Sequence, residues 1–441
     1  MSISVKGSHS EPVVAILIHD MFEDWLQSSQ IPLDVFCTKA TGCWWFNYVQ
    51  ALRSVGVGTV LICTSSQAET PSRFIHEPTG AIFWVLPSPK TCKIIRRLFL
   101  AQGMPKTAVT RNKFSLWISR VRSAAGRHLA SYVSTPLSLL RSILTEEHCS
   151  CVMVEEYEFP RFDLAVLLGW KMRVPVFGTF CGARPQGLWR RPLRPLALKL
   201  CAGLAICAKC EAERVIAQYR LPAEKVALIY YPLDFSIWHP SNKEEARDLL
   251  GIPPDAQVVV YHGAVLLWTK GLAVLIEAWE RICQQRPDRD LRLVLIGTGL
   301  DAPQLSQMLA RKRLRGIHWL NEWVQDRGLI QRYLSAADLY VFPSRSDACP
   351  VSIIEAMACG LPVVASQIRG IPDLLPQGEE SGGLLVPPGD VDALTGEINR
   401  VLDDRGLAQE LGYRALRHAK ASFSMAEIGK QLSAFLVADR R

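Results

Sequence analysis

Two acidic residues, Asp347 and Glu355, stand eight positions apart in the segment PSRSDACPVSIIEAMACGLPVVAS, residues 343–366. The apolar run ending at Phe342 predicts a strand, and Asp347 then falls in a loop. A helix is expected to start near Pro350, because the fixed φ of proline suits a first helical turn. Gly360 is expected to end that helix, with Pro362 just beyond. The first-turn amides of such a helix have no partner in the helix, and its dipole favours an anion. One carboxylate ahead of the helix and one inside it would flank a bound phosphate and accept sugar or ribose hydroxyls. A Lys-Gly pair, Lys270–Gly271, follows another predicted strand. Gly297 and Gly299, in a Gly-Thr-Gly turn, permit a tight strand-to-helix connection.

Short runs rich in Val, Ile and Leu are needed to hold these residues, and they recur along all 441 residues. Strands are predicted at 13–18, 58–63, 81–86, 151–156, 174–180, 204–208 and 225–230. A second set follows at 257–263, 291–297, 317–320, 338–343, 362–366 and 382–387. Helical patterns such as 46–55, 272–286 and 328–337 lie between them. Continuous apolar strands alternating with helices indicate parallel sheets covered on both faces. There are too many strands for one open sheet. The expected fold class is therefore α/β, with two Rossmann-like, doubly wound domains facing across a cleft. The aromatic and proline-rich stretch 230–242 is the expected linker, dividing the chain into 1–235 and 236–424. In such sheets ligands bind beyond the carboxyl ends of the strands, so the cleft is the expected active site.

The second half resembles the retaining glycosyltransferases of family 4, which have the GT-B fold. The resemblance starts at GAVLLWTKGLAVLIEAW, residues 263–279, and ends at GGLLVPPGDVDAL, residues 382–394. LVLIGTG (293–299), AADLYVFPS (336–344), the paired-acid segment and RGIPDLLP (369–376) fall between in the family's order. It implies transfer of a sugar from a UDP- or GDP-sugar to a carbohydrate or lipid-linked acceptor, with retention at the anomeric carbon. By the same resemblance Glu355 would hold the ribose and Asp347 a donor-sugar hydroxyl. Lys270 would stabilise the departing diphosphate. Gly263, Gly297, Gly299, Arg345 and the backbone of Ala348, Cys349, Val351 and Ser352 would complete the donor site. No metal or other cofactor is expected. Two departures stand out: Ala264 occupies a place where the family commonly has Arg, and the first acid is Asp rather than Glu. Arg345 or an arginine of the first half would then supply the missing cation. The departures leave open a second reading, a weak or inactive GT-B binding or scaffold protein.

The first half is expected to bind the acceptor. KATGCWWFNYVQALRSVG (39–56) resembles the family's glycine-rich loop, with Gly42 as the matching glycine near the diphosphate. EEYEFPRFD (155–163) places four carboxylates at a strand's carboxyl end, with Glu156 the candidate acceptor contact. FGTFCG (177–182) has Cys181 where the family often has His, and Gly182 is a second acceptor-side candidate. The terminal helix, within 425–441, is expected to cross back onto the first domain.

The formal net charge is +8, unevenly spread. Residues 1–240 carry 27 Lys and Arg against 17 Asp and Glu, the remainder 23 against 25. Between 78 and 145 there are 11 basic residues and no acidic one, interleaved with Ile94, Ile95, Leu98, Phe99, Phe114, Leu116, Trp117 and Ile118. That mixture suits an anionic membrane surface, and equally a solvated helix face. No nucleic-acid motif accompanies it. Thirteen scattered cysteines are expected as reduced thiols, and the lone Cys207–Cys210 pair has no partners at zinc spacing. No secretory signal or membrane span is read, so a cytosolic protein, able to touch the inner membrane face, is expected. No GxGxxG follows the first strand of either half, which disfavours a dehydrogenase.

Overall fold

A computed structural model describes residues 11–18, 32–41, 43–100, 126, 129–182 and 192–437. Gly42 and much of the basic stretch 78–145 lie outside the described residues.

The first sheet contains β1 (Val13–Leu17), β2 (Gly58–Ser65), β3 (Ser72–His76), β4 (Ala81–Pro87), β5 (Cys151–Val154), β6 (Val176–Phe180), β7 (Gly203–Ile206) and β8 (Val226–Leu228). Their order across the sheet is β3-β4-β2-β1-β5-β6-β7-β8. The second sheet contains β9 (Gln257–His262), β10 (Leu291–Ile296), β11 (Ile317–Leu320), β12 (Leu339–Phe342), β13 (Val363–Ser366) and β14 (Gly383–Val386), in the order β11-β10-β9-β12-β13-β14. Every strand pairing is parallel except β3 with β4. Strand order reverses at β1/β5 in one sheet and at β9/β12 in the other. These are the switch points where doubly wound sheets open a crevice for ligand.

The central strands read as unbroken apolar runs because both faces are covered. Val14–Leu17, Val258–Val260 and Leu339–Phe342 are all buried. β3 is the departure from an all-parallel first sheet. Its residues alternate between exposed and covered positions, and it closes the edge by antiparallel pairing with β4.

The chain leaves the first sheet after β8 and enters the second at β9. It returns through the helix Met425–Val437, which packs on the first domain. Phe435 meets Phe177 of β6 with ring centroids 5.2 Å apart. Gly429 lies against the Ala51 carbonyl, where a Cβ would come within 2.3 Å of the oxygen. The Leu233–Ser424 bridge ties the outgoing and returning strands of chain together.

Candidate active site

The second sheet's switch point gathers the residues singled out above. β9 ends at His262 and β12 at Phe342, adjacent in the sheet. Pro350 stands one position ahead of the helix Val351–Ala358 rather than inside it. No side chain caps that helix, so its first-turn amides are left for another acceptor. Ala348, Cys349 and Pro350 are buried, whereas Val351, Ser352 and Glu355 are half-buried.

Lys270 reaches this mouth because Gly271 allows the preceding turn. Gly271 has φ 68° and precedes the helix Leu272–Gln285. A Cβ there would lie 1.8 Å from the Pro343 carbonyl oxygen, so only glycine lets the two loops meet. Arg345 N donates to the Thr269 carbonyl at 2.8 Å and Ser344 Oγ to the same oxygen at 3.0 Å, joining them further. The Lys270 ammonium consequently donates to Asp347 Oδ2. It also sits 5.5 Å from the Phe342 ring centroid. The other Asp347 oxygen accepts the Ala348 amide at 3.1 Å.

Glu355, inside the helix, faces β9 and accepts a hydrogen bond from His262 Nε2 at 2.7 Å. Nothing in the spacing of residues 343–366 pointed to that partner. Gly263 follows His262, and the Gly263 carbonyl oxygen would lie 2.1 Å from a Cβ at Gly297. A Cβ at Gly299 would lie 2.4 Å from the Val265 carbonyl oxygen. These two glycines thus let the β9 and β10 loops pack together. Arg345 is half-buried with its guanidinium 5.6 Å from the Trp268 ring centroid, a cation–π contact, and it packs against Gly389.

The first domain faces this region with the ends of β6 and β7. Gly182, at φ 102°, approaches Ala348 so closely that a Cβ on it would stand 3.1 Å from the Ala348 Cβ. Cys207, after β7, contacts the Cys349 thiol. Lys209 N donates to Asp373 Oδ2 at 2.7 Å, which caps the helix Lys209–Tyr219 from the opposite domain.

The acids at 155–163 are not solvated. Glu156 is 2% exposed, and its two oxygens accept the amides of Glu158 at 3.1 Å and Cys181 at 2.9 Å. That geometry supports the turn leading to Gly182. Asp163 accepts from Arg194 Nε at 2.6 Å, and Glu158 lies 3.1 Å from the Arg214 guanidinium. Arg214 also joins Glu211 and the Tyr157 hydroxyl in one buried network. Burial beside Glu211 and Glu158 pushes the Tyr157 phenol far above its ordinary range, so it is a hydrogen-bonding group and not an acid.

Residues 256–404 match the family model described as glycosyl transferases group 1. The match falls within the second domain, which resembles that family over those residues. A D-inositol 3-phosphate glycosyltransferase from Jonesia denitrificans is 30% identical over 218 residues, which cover 48% of this chain and 51% of the relative. An alpha-D-kanosaminyltransferase from Streptomyces kanamyceticus is 24% identical over 306 residues, covering 67% of this chain and 78% of that one. The chain thus spans about half the length of the first of these curated relatives. Among solved structures, a sucrose-phosphate synthase from Thermosynechococcus elongatus has a TM-score of 0.67 at 19% identity, covering 96% of this chain and 98% of its own. HepE from Anabaena, solved with UDP, has a TM-score of 0.65 at 15% identity, covering 96% and 99%. These likenesses give the fold, which is GT-B. No helix among the described residues is long and apolar enough to cross a membrane.

Proposed function

We propose that this protein is a retaining glycosyltransferase that moves a sugar from a UDP- or GDP-sugar to a carbohydrate or lipid-linked acceptor. The observation that carries this reading is the Lys270–Asp347 pair at the uncapped mouth of the helix Val351–Ala358. It lies at the switch point of a group 1 glycosyl transferase domain. HepE binds UDP in its solved complex, in keeping with a nucleotide-sugar donor here.

In this reading the donor diphosphate rests on the helix amides around Val351 and Ser352, and Glu355 accepts a ribose hydroxyl. Asp347 accepts a hydroxyl of the donor sugar, which places the anomeric carbon beside the helix mouth. An acceptor hydroxyl attacks that carbon from the face the phosphate leaves. The new carbon–oxygen bond forms as the bond to the phosphate oxygen breaks. The acceptor proton passes to the departing phosphate oxygen, and the nucleoside diphosphate is released. Charge grows on that diphosphate in the transition state, where a preorganised ammonium and helix amides act most strongly. The load falls on these groups, and the reading requires no metal. The first domain holds the acceptor.

The helix Lys90–Leu100 favours an acceptor at a membrane. Its exposed residues include Lys90, Ile94, Arg97 and Leu98, which mix positive charge with bare apolar surface. Such a face binds anionic lipid from the aqueous side. We therefore place the reaction in the cytosol, at the inner membrane face.

The test is to incubate the protein with a panel of nucleotide sugars and measure released nucleotide, followed by the anomeric configuration of the product. Release from UDP- or GDP-sugars with a retained configuration is expected. Donor binding without turnover would instead indicate the scaffold reading that the loss of Arg at Ala264 keeps open.

A further inference from the structure

β9 is apolar or aromatic from Val258 to Tyr261 and then ends in an ionisable residue, His262, which is 6% exposed. Buried histidines normally use both ring nitrogens. His76 does so here, with Thr79 Oγ1 and the Ala40 carbonyl each at 2.7 Å. His262 does not: its Nδ1 is buried with no hydrogen-bond partner among the described residues. Among the described residues the ring's hydrogen-bond partner is the Glu355 carboxylate, 2.7 Å from Nε2. An ionised carboxylate only accepts, so Nε2 carries the proton in this contact.

The ring is held for the purpose. Tyr340 packs against it edge-on, with centroids 5.3 Å apart and planes at 64°. The Tyr340 hydroxyl donates to the His262 carbonyl at 3.3 Å. Both residues lie on the adjacent central strands β9 and β12. Glu355, by contrast, is a long side chain on a helix and would otherwise sample several rotamers.

We propose that His262 is a positioning residue for donor binding: it grips Glu355 through Oε2 and presents Oε1 to a ribose hydroxyl. The inference rests on the assignment of Glu355 to the donor's ribose. Its consequence is that rotamer freedom is lost when the protein folds and not when the donor arrives, so nucleotide binds more tightly. Catalysis of the bond change is unaffected, because His262 does not touch the reacting atoms.

The test uses the full chain and two probes, UDP and GDP, titrated by calorimetry. His262→Leu removes the N–H and keeps the bulk; His262→Gln keeps an N–H. The leucine variant is expected to lose about tenfold in affinity for whichever nucleotide binds. The glutamine variant is expected to stay within about threefold of the parent. In a Glu355→Ala background His262→Leu should cost nothing further, since the two residues act as one unit. A structural role would instead give equal losses in both backgrounds and no rescue by glutamine. Unchanged affinity in the leucine variant, or additive losses, overturns the proposal while leaving the donor site in place. If the parent protein binds neither UDP nor GDP, the donor-site reading fails and this inference fails with it. Should the leucine variant not fold, His262→Met makes the same comparison.

Discussion

Replacing Lys270 by Met removes an ammonium and keeps an apolar stem of similar reach over Phe342. Two effects follow from the geometry. The departing diphosphate loses the ammonium placed at the helix mouth, and Ala264 carries no charge to replace it. Losing one preorganised donor at a developing oxyanion costs about 3–4 kcal/mol, or roughly 10²–10³ in kcat. Asp347 also loses its ion partner and retains only the Ala348 amide at 3.1 Å. That bare carboxylate repels the bound diphosphate in ground and transition states alike, which appears in KM. Nucleotide release at saturating donor should therefore fall about 10²–10³-fold, with a smaller rise in donor KM. Adding Asp347→Asn should recover part of KM and none of kcat. Tm should fall as well, because the pair is only about one-fifth exposed and Asp347 is left part-buried without its cation. A kcat within threefold of the parent would refute the role of Lys270.

Gly271→Ala should lower Tm and turnover together. It forces a left-handed Ala against the Pro343 carbonyl, at a cost of roughly 1–3 kcal/mol, and it pushes Lys270 off Asp347; an unchanged Tm would contradict the packing described. His76 and His418 both have their imidazole pKa lowered by burial, so the folded state binds fewer protons than the unfolded chain just below the ordinary histidine value. Stability should fall as pH drops from about 6.5 through the depressed values. His76→Asn should show a smaller loss of Tm between pH 7.5 and 5.5; an identical loss would count against a buried neutral His76. Ile94→Asp with Leu98→Asp should abolish flotation with anionic liposomes and leave turnover on a soluble acceptor intact, whereas undiminished flotation would exclude this helix as the lipid contact.

Strands with both faces covered were legible because burial removes the need for alternation. Leu339–Phe342 and Val258–Tyr261 show it plainly. β3 was not, because Ser72–His76 is a short edge strand that alternates and is paired antiparallel. The residues that meet at the helix mouth were legible where residue type and local chain geometry coincide, as at Asp347, Glu355 and the Lys270–Gly271 turn. The His262–Glu355 contact spans 93 positions and joins a strand to a helix, so no local pattern announces it. The acids at 155–163 look like a solvated loop until Arg194 and Arg214 arrive from later helices and bury them. Gly263, Gly297 and Gly299 read as ligand-binding glycines, and the fold shows a further reason for the last two: neighbouring backbone occupies the space of a side chain.

The central claim is that a nucleoside diphosphate rests on the mouth of the helix Val351–Ala358. A crystal structure with UDP or GDP bound tests it most directly. The account predicts diphosphate oxygens within hydrogen-bond reach of Lys270 Nζ and of the Val351 and Ser352 amides, with a ribose hydroxyl on Glu355. Nucleotide bound elsewhere, or a ribose turned away from Glu355, would contradict it.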